Sequence, residues 1–324
     1  MTELDTREVV TRSVERRRGS FRRNDPPRVG NGAAGVKPRQ WYQWWFALPA
    51  AVLVLFFFFV PFIANAFFAF TQWTGYSSVI TFNGLQNFQN LIDRGVLWQA
   101  TLITLVYAVI GMVTQNAVGL SLAKALQHTG RANTVFRSIF FIPVLISPLA
   151  AGYIWKALLQ PEGFVNDVIS LFVPGDFTFA WLGNAVTALI AVACIDAWKW
   201  SGMATLVYIA GLNRIPGQLV EAATLDGAGA WRRFWAIEFP LLAPAFTFNI
   251  VITFVGAFSA FDGIVATTGG GPGTATTVLN KAAYDQYGQG LFGTASALNF
   301  VVALLVICTA IPLIAWMRKR EERM

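Results

Sequence analysis

Residues 52–60 read VLVLFFFFV, nine large apolar side chains without a break. If each contributes about 0.3 to 0.6 kcal/mol near the centre of a bilayer, the stretch favours insertion by roughly 3 to 5 kcal/mol. The competing reading is a helix buried in a water-soluble core. Composition decides between them: 55% of the 324 residues are hydrophobic and 13% charged, more apolar side chain than a soluble domain of this length needs for its interior. The chain reads as an all-α polytopic membrane protein.

A hydrocarbon core about 30 Å thick takes roughly 20 apolar residues per helix. Working outward from 52–60, six segments reach that length: 44–70, 97–126, 137–159, 184–212, 241–265 and 291–316. Six crossings return both termini to one side, and the charge pattern says which. Ten Lys and Arg residues precede Gln40 and four more lie in 318–323; with the loops after the second and fourth segments, twenty of the 24 fall on one side. Arg94, Lys156 and Lys281 fall on the other. Basic residues in short loops concentrate in the cytoplasm, so both termini are expected there. The net charge of +7 is thus topological, not the footprint of a nucleic-acid partner.

The expected organisation is a basic, disordered cytoplasmic tail (1–40), a six-helix transmembrane domain (41–317) and a short basic C-terminus (318–324). The tail is too long and Arg-rich for a signal n-region, and the apolar segment after it lacks a small-x-small cleavage site, so it reads as an uncleaved signal anchor. Glu3, Asp5, Glu8 and Glu15 speak against a transit peptide. Cys194 and Cys308 both lie in apolar spans and His128 is the sole histidine, which leaves neither a disulfide framework nor a His/Cys metal site. Trp41, Trp44, Trp45, Trp73 and Tyr76 flank the first span as interface aromatics. Pro49, Pro61, Pro143, Pro148 and Pro244 free backbone groups that need partners inside a bundle, so bent, packed helices are expected.

Between the fourth and fifth spans lies a charged, small-residue island at 213–240. Pro216 suits the first turn of a short helix, Glu221 its middle, and Gly227 the left-handed residue that ends it. In the helix that follows, Trp231, Phe234, Trp235 and Glu238 recur at i, i+3, i+4 and i+7 until Pro240 stops the pattern. Small Ala222, Ala223 and Ala228 permit close approach by another surface. On physical grounds alone the island also reads as an interfacial hairpin with its aromatics against lipid or the protein's own helix ends.

The same residues carry a resemblance. Glu221-Ala222-Ala223, three residues, Gly227, nine residues, Ile237, one residue, Phe239-Pro240 is similar to the EAA docking loop of ABC importer permeases, with Phe239 where Leu is usual. Phe261-Asp262-Gly263-Ile264, Thr268-Gly269-Gly270-Gly271-Pro272, Thr276-Thr277 and Leu279 resemble a run found in the carbohydrate permeases typified by the maltose system, as does Gly84-Leu85-Gln86-Asn87-Phe88. Weaker matches are Arg137 with Phe141-Ile142-Pro143, the turn from Gly163 to Asn166, Asp196 with Trp198, and Gly211-Leu212. The resemblance spans about 44–316. It implies the type I ABC importer permease architecture in a bacterial cell (inner) membrane, half of a translocation pore for a sugar or oligosaccharide. The implied partners are a cytoplasmic ATPase dimer, a second homologous permease and an extracytoplasmic sugar-binding protein. Glu221, Ala222, Ala223, Asp226 and Gly227 would then dock the ATPase, with Glu221 pairing a basic group on it. The chain itself would not be an enzyme and would hold no cofactor. It has no G-x-x-x-x-G-K motif, so ATP and Mg2+ would belong to the partner. The glycine run 269–273 reads as an extracellular turn.

Polar residues inside the spans are candidates for a solute path. Asp196 and Lys199 lie one turn apart, and each would cost about 2.5 to 3.5 kcal/mol facing lipid. They are expected to face the bundle, either as a mutual salt bridge or as solute contacts, with Trp198 and Trp200 available to stack on a sugar. Asn249 and Asn299 read mainly as interhelical hydrogen-bond formers. Asp262 is expected to fix the glycine-rich turn. An uncharged glycan is preferred over glycerol 3-phosphate because Lys199 is the one cation well inside a span. Rival readings are a polyol permease, an ion-coupled secondary transporter using Asp196, and an intramembrane enzyme built on Lys199 and Ser201.

Overall fold

The computed structural model describes residues 41–321. The expected disordered tail at 1–40 and the last three residues of the C-terminus lie outside them. The chain divides into two units, Met1–Phe59 and Val60–Met324. In the first, α1 (Trp41–Val54) runs into a single π-helical segment, Leu55–Phe59. The second begins with α2 (Val60–Phe68), and Trp45–Phe68 makes 24 residues of apolar helix along the chain. The π segment has a local cause. Pro61 has no N–H for the carbonyl of Phe57 and its ring clashes there, so the helix widens by one residue just before it.

Within the second unit, short α3 (Gln86–Asp93) leads into α4 (Val96–Leu126), 31 residues long, and α8 (Ala185–Leu212) is an unbroken 28-residue helix. Both coincide with expected spans to within a residue. They form the most extensive helix–helix interface among the described residues. Glycine and alanine make it possible: Gly119 and Ala204 face each other so closely that a Cβ on Gly119 would lie 2.8 Å from that of Ala204. In a bilayer, where apolar burial drives little, such close backbone approach is what holds helices together.

Two expected spans are not single helices. The segment 137–159 is α5 (Arg131–Leu145) and α6 (Pro148–Leu158), bent by 100°. Ile146 and Ser147 are extended, Pro148 opens α6, and the Ser147 hydroxyl caps it by accepting from the Ala150 N–H at 3.2 Å. The segment 241–265 is α12 (Ala243–Ala257), which ends eight residues early; Asp262 opens a separate α13 (Asp262–Thr267). A 72° bend at Leu242, between Pro240 and Pro244, joins α12 to the helix before it. The last helix, α15 (Phe292–Glu321), runs past the expected boundary at 317 and carries Arg318, Lys319 and Arg320 on its final turn, where cations suit the negative end of the dipole. Among the described residues, four helices are thus long and apolar enough to cross a membrane, and up to six segments are if each bent pair counts once.

Among the described residues there is no strand, only an isolated bridge between Thr71 and Phe82. Buried Asn87 of the Gly84–Phe88 motif donates to the Ala69 and Thr71 carbonyls (2.9 and 2.8 Å), tying α3 to the end of α2. The main core joins Ile103, Tyr107, Ala108, Val192, Ala193, Phe254 and Ile264, and a second cluster at the opposite end joins Ala123, Leu126, Tyr208, Leu212 and Leu242. That second cluster lies beneath the 213–240 hairpin.

Candidate docking hairpin and intramembrane polar residues

Glu221, Ala222 and Ala223 sit on α9 (Gly217–Leu225), with Pro216 at its N-cap position. The helix ends as its glycine predicts. Gly227 has φ +75°, its N–H donates to Thr224 O (3.1 Å), and the Ala228 N–H reaches back to Ala223 O (2.9 Å), the paired bonds of a Schellman motif. Glu221, Ala222, Asp226 and Gly227 are exposed, whereas Ala223 is buried against the hairpin itself, so close approach from outside falls to Ala222. Leu225 (89% exposed) and Trp231 (76%) stand beside them as uncovered apolar side chains.

The return arm is α10 (Ala230–Arg233), a π segment Phe234–Glu238 and α11 (Phe239–Leu241). As at Pro61, a π segment ends two residues before a proline, here Pro240. The chain therefore continues in helical form through Pro240, and the stop expected there falls at Leu242. The widened turn carries Glu238, buried at 4% exposure. Its carboxylate accepts from the Lys124 ammonium of α4 and lies 3.5 Å from Arg233 Nε. Arg233 in turn donates through Nη1 to Thr224 Oγ1 at 2.9 Å, bracing α10 against α9. Trp231 meets Trp235 edge-on and Trp235 meets Phe239 at a tilt along this arm, with centroids 5.6 and 5.0 Å apart, and Phe239 meets Phe246 of α12 at 5.4 Å. Sequence reasoning saw Glu238 as the one acid in an aromatic stripe. Such an acid implies a counter-charge, but nothing local names Lys124, 114 positions away.

Asp196 and Lys199 form no ion pair, a correction to one of the two expectations for them. Lys199, 2% exposed, donates to the Val144 carbonyl at 3.3 Å and lies 3.9 Å from the Trp200 ring centroid. The reason is the helix break: residue 148 would normally donate to that carbonyl, and proline has no N–H to give. The ammonium replaces the missing donor at the negative end of α5. Asp196, half-buried, lies beside the Tyr107 hydroxyl and the Trp200 indole instead.

Trp198 meets Trp155 edge-on at 5.4 Å, and both line a cavity of about 460 Å³ with Trp181. Asn249, 1% exposed, donates to Ala204 O at 3.1 Å. Beside it runs a network that sequence reading missed: Tyr208 donates to Asn116 Oδ1 (2.5 Å), and Asn116 Nδ2 to Thr253 Oγ1 (2.9 Å), linking α8, α4 and α12. A polar residue in each of three spans was the available signal. Asn299 donates to the Tyr287 hydroxyl at 3.1 Å. Asp262 is exposed, and the hydrogen bonds of the glycine-rich turn come from threonines: Thr276 to Gly271 O (2.9 Å), Thr277 to Gly270 O (3.1 Å), and Thr268 with Thr276 (2.7 Å). The carbonyl of buried Gly270 needs donors, and hydroxyls can donate where a carboxylate cannot.

A bundle of apolar helices broken at prolines, with one exposed helical hairpin, defines a polytopic helical membrane protein. Residues 115–320 match the family described as binding-protein-dependent transport system inner membrane component, and the chain belongs to it. It is 30% identical over 268 residues to the multiple sugar-binding transport system permease protein MsmF of Streptococcus mutans, covering 82% of this chain and 92% of that one. It is 32% identical over 285 residues to the sn-glycerol-3-phosphate transport system permease protein UgpA of Brucella abortus, covering 83% and 92%. A crystal structure of a bacterial alginate ABC transporter in complex with an alginate pentasaccharide-bound periplasmic protein contains a chain of the same fold, with a TM-score of 0.72 at 22% identity, covering 88% and 95%.

Proposed function

We propose that this permease forms half of the translocation pathway of an ABC importer for a sugar or oligosaccharide. It would cross a bacterial inner membrane six times with both termini in the cytoplasm. The observation that carries the reading is the hairpin: Glu221 and Ala222 stand exposed on a helix closed at Gly227, flanked by uncovered Leu225 and Trp231, in a chain whose family is shown. An uncovered apolar rim beside an acid suits a partner surface with a groove and a basic group. The partner is a cytoplasmic ATPase dimer that holds ATP and Mg2+. A second permease completes the pore, and an extracytoplasmic binding protein delivers the solute. Closure of the ATPase pair pulls the hairpin, the bundle opens outward to accept solute, and hydrolysis reverses it.

The UgpA relative favours a second reading, a phosphate ester as solute. The position of Lys199 counts against it, because its ammonium is committed to the Val144 carbonyl. Asp196 with Tyr107 and Trp200 is the more suitable set for a hydroxylated, uncharged solute: a carboxylate accepts from hydroxyls and an indole stacks on a sugar face.

Purification of the tagged chain from its own membrane in mild detergent tests the reading, and an ATPase subunit with a second permease should copurify. Glu221→Ala and Gly227→Val should insert normally yet lose most retained ATPase, since valine cannot hold φ +75° without strain. A chain that purifies alone in several detergents would overturn the ATPase-docking reading of the hairpin.

A further inference from the structure

We infer that Glu238, clamped between Lys124 and Arg233, is the positioning residue that passes movement of the docking hairpin to α4. The inference rests on the importer reading above. By chain connectivity the hairpin pulls directly only on α8 and α12, the helices it joins. Helix α4 enters the hairpin by sequence nowhere, yet it packs along α8 and carries Tyr107, beside Asp196, and Asn116, bonded to Tyr208. A polar line reaches it: from α9, one turn past Glu221, through Thr224 Oγ1 to Arg233 (2.9 Å), from Arg233 to Glu238 (3.5 Å), and from Glu238 to Lys124.

The apolar contacts that accompany this line, Leu242 against Ala123 and Leu126, are not directional and tolerate sliding. The ion cluster does not. Glu238 is 4% exposed, and withdrawing Lys124 would remove the cation that is hydrogen-bonded to the buried carboxylate, leaving it only the longer contact to Arg233. Hairpin, π segment and the end of α4 must therefore move as one piece or break at this point. The π segment makes the clamp possible, because its wider turn sets Glu238 facing α4 while Trp231 and Trp235 stay on the outer side.

The test uses the whole complex, with its ATPase, second permease and loaded binding protein, reconstituted in proteoliposomes. Solute taken up per ATP hydrolysed is the readout, because loss of folded complex lowers both quantities together and leaves their ratio unchanged. Glu238→Gln keeps the shape and removes the charge. It should retain bound ATPase and hydrolysis while uptake per ATP falls about tenfold, within the usual span of coupling between sites. The exchange Lys124→Glu with Glu238→Lys keeps one acid and two cations in the cluster and should restore at least half of the ratio. An unchanged ratio in Glu238→Gln overturns the inference. So does a ratio that falls but is not recovered by the exchange. If the wild-type chain binds no ATPase, the importer reading fails and this one with it; if the wild type couples and the variants couple equally, only this one fails.

Discussion

Lys199 is the residue whose role shifts most between sequence and structure. An acid and a lysine three positions apart on one helix face each other on paper, and a salt bridge is the natural reading. The break at Ser147 offers the ammonium a better partner, a carbonyl that proline has orphaned. Removing the cation should cost about 1.5 to 3 kcal/mol, the range for a hydrogen bond to a charged group. Lys199→Met should therefore lower the thermal stability of the detergent-purified chain by several degrees, while Asp196→Asn leaves it close to wild type. A loss in Asp196→Asn equal to that in Lys199→Met would show that the two act as a pair after all. Gly227, by contrast, was fully legible, because a left-handed helix terminus is encoded in three or four consecutive residues.

At the scale of elements, the apolar periods of α4 and α8 are continuous and their ends fall where expected. The two sharp bends fall where two prolines lie four or five positions apart, Pro143 with Pro148 and Pro240 with Pro244. One proline bends or widens a helix, and a pair removes two donors from adjacent turns, so the chain restarts. Hydropathy does not register this, since apolar residues continue across the break. The broken half α5 is held to α8 by close backbone contact: a Cβ on Gly202 would lie 2.5 Å from the Phe140 carbonyl oxygen. That neighbour is backbone and cannot rotate away. Gly202→Ala should cost about 1 to 3 kcal/mol as an overpacked site, read as earlier aggregation on heating the purified protein, whereas Gly229→Ala, with open space around it, should not.

For the whole molecule, the proposed six crossings with cytoplasmic termini would place the 213–240 hairpin and the loop before α8 on opposite sides of the membrane. In a variant lacking Cys194 and Cys308, Asp226→Cys should react with an impermeant maleimide only after the cells are opened, and Asp176→Cys should react in intact cells. Both positions are exposed. Reaction of both from the same side would show that α8, the long helix between the two positions, does not cross.

Composition, hydropathy and the Glu221 to Pro240 pattern were enough to determine a membrane-embedded helical chain, its family and the helical hairpin at 213–240. These properties are local or additive: insertion sums over consecutive residues, and a capped helix is specified within one turn of its end. Tertiary structure alone decided which polar groups meet. Lys124 with Glu238, Lys199 with Val144, and Asn116 with Tyr208 and Thr253 are separated by 55 to 137 positions. In a low-dielectric interior each buried polar group takes whatever partner the packed backbones bring within reach, and that is a property of the fold rather than of any segment.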